Sequence, residues 1–436
     1  MRKVREEMFP QQNKNGHLYW GNCDTVALAQ KYGTPLYVYD ENLILKECQA
    51  LKDDFLDKYP NTRVAYASKA FNTIAMLQLI KDAGLSLDVV SGGELYTAIA
   101  ADFPAARIEF NGNNKSVAEL EMAIDYGVGR IIVDSLQEVA LIQQICQQLG
   151  KKAHIMFRIT PEVDVKTHAF ISTGQKDSKF GIPLEPAVLY PQIEKVFQAE
   201  NLEFYGFHFH VGSQLSDNAA HLAATQVALN LMLEVKKRYN YQVKELNFGG
   251  GFGVCYTKED IRQPYRYFLD PMMELTAAFC LENDLVRPEI VIEPGRSIVA
   301  EAGITLHTIG AIKELPGLRK YVSIDGGMTD NIRPGLYHAQ YTGVVANKVD
   351  EKPTQKVTIS GKACESTDLL IKDLPVPDVC AGDIFATFTT GAYGYSMASN
   401  YNKLPIPAVI FTKDGQAEVV VKRQTYAQMI QNEVKR

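Results

Sequence analysis

No apolar run in these 436 residues approaches the length needed to span a bilayer, so a membrane-embedded role is not expected. Cysteine is sparse and scattered: seven residues, an odd number, with no CxxC pair. That argues against a disulfide framework or a zinc cage and points to free thiols in a reducing cytoplasm. The segment MRKVREEMFP carries charge but no following apolar stretch, so it is not expected to act as a secretory signal. Lys and Arg are spread rather than clustered and the net charge is −6, so no nucleic-acid partner is expected. Low-complexity tracts and fixed-period repeats are missing too.

What is present is an alternation. Short β-branched or aromatic runs at 64–68, 87–90, 107–110, 130–133, 154–159, 204–209, 243–248 and 289–293 are separated by stretches of helical period. In TIAMLQLIKDAG, Ile74, Leu77 and Ile80 fall on one face and Gly84 supplies a C-cap. Eight such units predict parallel strands joined by right-handed crossovers in a (β/α)8 TIM-type barrel. No GxGxxG follows the first strand to favour an open doubly wound sheet. Beyond about residue 300 the runs ITLHTIGAI, YVSID, KVTIS, DIFATFT, PAVIFT and AEVVV predict a second, mainly antiparallel β domain. The expected division is a barrel over 36–300, with 1–35 and 301–436 forming the β domain.

Barrels of this kind carry their chemistry at the C-terminal ends of the strands. Lys69 follows the first strand in AYASKA, where a partly desolvated amine can condense with an aldehyde. The plain alternative is a snorkelling surface lysine. His210 and Ser213 follow the sixth strand, and Gly249, Gly250 and Gly251 the seventh. Glu293, Gly295 and Arg296 follow the eighth. A glycine run beside Gly295-Arg296 makes a two-sided phosphate cradle. Glu293 at the end of an apolar strand needs a cationic or hydrogen-bonding partner, either a protonated pyridine nitrogen or a salt bridge to Arg296 or Lys69. His208 and His210 share a strand face, but no third ligand or HExxH pattern makes them a metal site. His210 is placed to stack on a cofactor ring, and His208 reads as barrel-interior packing. In a closed barrel the eighth strand neighbours the first, so Lys69 and Glu293 are expected side by side.

Nine segments extend the pattern: AYASKA, DVVSGGEL, THAFISTGQKDSKFGI, FHFHVGSQL, NFGGGFG, EPGRSIVAEAG, SIDGGMTDNIRPGLYHAQY, GKACESTD and GAYGYSMASNYN. Together they resemble the fold-type III pyridoxal-phosphate decarboxylases, and among them the diaminopimelate decarboxylase family. The resemblance implies that Lys69 carries pyridoxal 5'-phosphate, Glu293 pairs with its pyridine nitrogen and His210 stacks on its ring. Ser213, Gly249–Gly251, Gly295, Arg296 and Tyr393 would surround the phosphate or the substrate beside it, with Asp88 and Arg158 in support. Cys364 and Glu365 would reach into the partner subunit's site, making the active unit a cytoplasmic homodimer. Cys364 or Lys69 would return the proton after CO2 leaves. Taken alone, Cys364 reads as a small buried hydrophobe and Tyr393 as core packing.

Diaminopimelate carries a carboxylate as well as an amine at its far end, so a cation is needed there. Arg333 and Tyr337 in DNIRPGLY, with Arg296, supply that set, while Glu365 stands where ornithine decarboxylases tend to have Asp. The implied reaction is decarboxylation of meso-2,6-diaminopimelate to L-lysine. The plain alternative for Arg333 is a surface or interface residue. Gly335 departs from the family's RPALY and adds backbone freedom beside Arg333. A racemase of this fold would want Arg rather than Glu293 at the ring nitrogen. A silent regulatory homologue would be expected to lose Lys69, Cys364 or the glycine run. A decarboxylase of lysine, ornithine, arginine or a D-amino acid stays open.

Overall fold

The alternation of strands and helices folds as its periodicity requires. In a computed structural model, which describes residues 12–161 and 178–436, eight parallel strands close into a barrel. They are β1 (Thr62–Ala67), β2 (Ser86–Val89), β3 (Ile108–Phe110), β4 (Arg130–Val133), β5 (Ala153–Arg158), β6 (Leu202–His208), β7 (Glu245–Asn247) and β8 (Glu289–Ile292). All eight predicted runs are barrel strands. The β8 strand pairs β1 in parallel register, Ile290 with Thr62 through Ile292 with Val64, which closes the ring. Most of the segment THAFISTGQKDSKFGI lies outside the described residues.

Between the strands run helices such as Ile74–Asp82, Gly92–Ala100, Val117–Tyr126 and Leu136–Leu149. Their starts are set by side chains that accept orphan amides: Thr73 takes Met76 N–H, Ser91 takes Glu94 N–H, and Ser116 forms a reciprocal capping box with Glu119. Gly84, at φ +81°, turns the chain out of the helix that Asp82 ends. The apolar stripe of that helix is Met76, Leu77 and Ile80. Ile74, expected on this face, is 47% exposed because it opens the first turn, before the stripe meets the barrel.

The chain divides into two compact units, one of 47–253 with 262–295, the other of the chain up to 46 with 254–261 and 296–436. The second unit holds the predicted β-rich runs in a mainly antiparallel sheet. Its order is Leu369–Val376, Gln355–Ser360, Arg319–Ile324, Gly303–Leu315, Leu36–Asp40, Ala408–Lys413 and Gln416–Val421. Ile384–Thr387 also pairs Gly303–Leu315 and carries Gly343–Val345. Two neighbouring pairs, Arg319–Ile324 with Gln355–Ser360 and Leu36–Asp40 with Ala408–Lys413, are parallel. Leu36, Val38, Ile304, Leu306 and Ile410 pack its core with Trp20, whose Nε1–H donates to Ala302 O at 2.9 Å. All seven cysteines are free thiols, with only Cys364 and Cys380 exposed. Among the described residues no helix is long and apolar enough to cross a membrane.

Candidate active site

Closure of β8 onto β1 sets the mouth of the barrel. Ala67 N–H donates to Pro294 O at 3.1 Å. A Cβ on Gly295 would lie 2.8 Å from Ala67 O, so only glycine lets the two strand ends meet this closely. Two residues past Ala67, Lys69 sits in the 3-10 turn Ser68–Ala70 and is exposed, whereas Ser68 and Ala70 are buried. The turn is braced by Glu94, whose Oε2 accepts from Ser68 Oγ at 3.0 Å and from Val90 N–H at 2.8 Å.

Glu293 lies deep beside this turn and accepts from three side chains. Asn247 Nδ2 is 2.8 Å from Oε1, Asn111 Nδ2 is 3.2 Å from the same oxygen, and His208 Nε2 pairs at 3.1 Å. Asn111 Nδ2 also reaches Asp88 Oδ1 at 2.7 Å, and Asn247 Nδ2 reaches Glu109 Oε2 at 2.7 Å. His208 is therefore buried, as packing would have it, but it is also a direct partner of Glu293. Burial acts to raise the Glu293 carboxyl. The charge and hydrogen bond of His208, with the charge of Lys69, more than reverse this and hold it below the usual carboxylate range. Asp88 is pushed the other way, up to about 8, by burial first and then by the Glu293 charge. Of the two carboxyls, Glu293 is the one kept ionised.

Around them stand the other strand-end groups of the barrel. His210 Nδ1 accepts from Gly250 N–H at 3.3 Å. Desolvation, with the Lys69 and Arg158 charges, drives its pKa well below the usual histidine value and keeps the ring neutral. Gly249, Gly250 and Gly251 run through a space with no room for side chains. An added Cβ would collide with the carbonyls of Phe209, Glu293 and Gly212 respectively, and Gly249 and Gly251 have φ of +66° and +106°. Half-buried Ser213 lies in the loop after β6. Arg158, at the end of β5, is 3.9 Å from Asp134 Oδ2, with its guanidinium 4.4 Å from the Phe180 ring centroid.

In the second unit two buried arginines share a phenol. Arg296 Nη1 donates to Tyr256 OH at 2.5 Å and Arg333 Nη1 donates to the same oxygen at 2.7 Å; Arg333 Nη1 also reaches Tyr341 OH at 3.0 Å. Arg333 is thus a buried residue of this unit and not a surface one. Burial raises the Tyr256 phenol, and the two guanidinium charges more than offset it, leaving it below its ordinary value. Tyr341 is pushed up to about 12, chiefly by burial. The Tyr393 ring lies 4.8 Å from the Arg296 guanidinium, on a backbone at φ +59° that a bulky residue rarely adopts. The Tyr337 ring stands 6.0 Å from Arg333. Cys364 and Glu365 are exposed in the loop after Gln355–Ser360, where Cys364 N–H donates to Asn402 Oδ1 at 2.6 Å.

Sequence reasoning did not single out Asn111, Asn247, Glu94, Tyr256 or Tyr341. Asn111 and Asn247 each sit at or just past a strand end, a position that would have flagged them. The other three carry no comparable local signal.

Residues 43–300 match the family described as pyridoxal-dependent decarboxylase, pyridoxal binding domain. The barrel's donor set fits that group: an accessible primary amine, a carboxylate held ionised for a protonated ring nitrogen, a neutral imidazole, and a glycine run where any Cβ would collide with backbone. The chain is 48% identical over 419 residues to diaminopimelate decarboxylase of Bacillus subtilis, covering 96% of this chain and 95% of that one. The crystal structure of diaminopimelate decarboxylase from M. jannaschii superposes with a TM-score of 0.92 at 35% identity, covering 99% of each chain. A second structure of that protein, in complex with L-lysine, gives 0.91 at 36% identity and 97% of each. This chain belongs to the diaminopimelate decarboxylase family.

Proposed function

We propose that this protein decarboxylates meso-2,6-diaminopimelate to L-lysine and CO2 with pyridoxal 5'-phosphate, as a cytoplasmic homodimer and the last step of lysine biosynthesis. The observation that carries the reading is that the two adjoining strands at the barrel seam are followed by an exposed amine, Lys69, and a buried carboxylate, Glu293, that stays ionised. When bound, the cofactor supplies an electron sink for the pair released as CO2 departs. Glu293, kept ionised by the charge and hydrogen bond of His208 and by the Lys69 charge, would pair with the protonated ring nitrogen. His210, being neutral, offers a flat face without competing for that charge. Ser213, Gly249–Gly251, Gly295 and Arg296 hold the phosphate, with Asp88 and Arg158 in support. The Lys69 amine is accessible for exchange with the substrate amine.

In the second unit Arg296 and Arg333, with Tyr337 and Tyr393, take the carboxylate at the far end of the substrate. In this reading exposed Cys364 and Glu365 complete the partner subunit's site, and Cys364 or Lys69 returns a proton to the α-carbon. The L-lysine complex of the M. jannaschii relative supports lysine as the product.

The test is CO2 release from meso-diaminopimelate, L-lysine, L-ornithine, L-arginine and D-lysine by protein carrying the cofactor. Preference for the first is expected, with Lys69→Ala losing both activity and the visible cofactor band. Mixing Lys69→Ala with Cys364→Ala should restore activity if sites are shared between subunits. Preference for any other substrate, or a colourless wild type, would remove the assignment.

A further inference from the structure

We propose that Asn247 is the positioning residue that holds the Glu293 carboxylate and the glycine run in one frame, so that the two anchoring ends of the cofactor site cannot drift apart. The inference rests on the reading above, in which Glu293 faces the ring and the glycine run faces the phosphate, and it adds a residue to it. Asn247 ends β7 and is fully buried. Its Nδ2 donates to Glu293 Oε1 at 2.8 Å and to Glu109 Oε2 at 2.7 Å, while its Oδ1 accepts from Gly249 N–H at 2.9 Å. Because Gly249 N–H can only donate, it fixes which end of the amide is oxygen. The NH2 group is thereby aimed at the two carboxyls.

Asn111 supplies the contrast. Its NH2 group spans Glu293 and Asp88, yet its buried Oδ1 has no partner among the described residues, so it braces Glu293 sideways. Asn247 joins the carboxylate to the loop by its side chain, and the backbone repeats the link through Glu293 N–H to Gly249 O at 2.7 Å. Glu109 is itself paired with Arg63, so the line of contacts runs from the interior of the barrel to its mouth. The position demands a donor on one end and an acceptor on the other. Leu would strand Gly249 N–H and uncover two carboxyls, and Asp would add a third acidic group to them.

Asn247→Asp tests this most sharply, since it keeps the shape and the acceptor for Gly249 while losing the donor. In the holoenzyme it should lower kcat for diaminopimelate about tenfold or more with KM changed about threefold or less. It should also weaken cofactor binding, followed by fluorescence titration, and move the pH at which the bound cofactor's visible absorbance changes. In a Glu293→Gln background the same substitution should alter kcat by no more than about twofold, because its effect passes through the Glu293 charge. Should Asn247→Asp fail to fold, Asn247→Ser carries the same expectations. A folded variant with unchanged kcat, cofactor affinity and absorbance profile would overturn the proposal, as would an undiminished effect in the Glu293→Gln background. A wild type that neither binds the cofactor nor releases CO2 would overturn the functional reading and this proposal together, which separates that failure from one of Asn247 alone.

Discussion

The barrel and the β unit both bury ions, and they treat them in opposite ways from one place to the next. Deep in the barrel, Arg63 meets Glu109, Glu245 and Glu289 while Arg130 meets Glu245, so that each cation faces carboxylates directly. At the barrel mouth, Glu293 is wrapped in hydrogen-bond donors, two of them neutral amides. In the β unit, Arg296 and Arg333 are held by phenol hydroxyls and ring faces. A buried ion paired with its opposite serves structure, because its field is spent locally. A buried ion that no opposite charge fully neutralises keeps part of its field for a ligand.

That contrast can be broken by substitution. Arg63→Ala leaves buried carboxylates uncompensated and should cost about 3–5 kcal/mol of stability, read by chemical denaturation. Equal stability would mean that the deep network contributes nothing. Glu293→Gln should lower kcat by about 10²–10³-fold while shifting the melting temperature far less than Arg63→Ala does. Arg333→Ala should lower kcat/KM for diaminopimelate by about 2 kcal/mol of lost charge-assisted hydrogen bonding; a near-silent variant would remove the substrate assignment.

Asp88 supplies a pH test. Its native pKa near 8 lies above that of an unfolded aspartate, about 4, so the native state holds this proton more tightly. The stability it contributes is complete below the unfolded value and is lost as pH rises towards 8. Cofactor-free protein should therefore weaken over that window by up to about 1.4 kcal/mol per pH unit, and Asp88→Asn should flatten the slope. Smallest of all, Gly335→Ala should stabilise by about 0.5–1 kcal/mol. Gly335 lies within the helix Arg333–Tyr337, and a Cβ there meets only Thr367 O at 3.6 Å.

The barrel was legible because its strands are buried on both faces and read as unbroken β-branched or aromatic runs. Strand Leu369–Val376 was not: Lys372, Asp373 at φ +55° and Pro375 interrupt its alternation, which an edge strand tolerates. At the site, Lys69 and Glu293 announce themselves as charges ending apolar strands. Asn111 and Asn247 share the strand-end position but carry no charge to mark their role, which shows only through Glu293, 182 and 46 residues away. Tyr256 stayed hidden for the same reason, 40 and 77 residues from the arginines it joins.

The seam between β8 and β1 has a consequence for biogenesis. Lys69 and Glu293 come from the first and last staves, so a nascent chain owns no binding site until the final stave docks. Cofactor capture then becomes a report that the ring is shut, and by mass action it draws open forms towards the shut one.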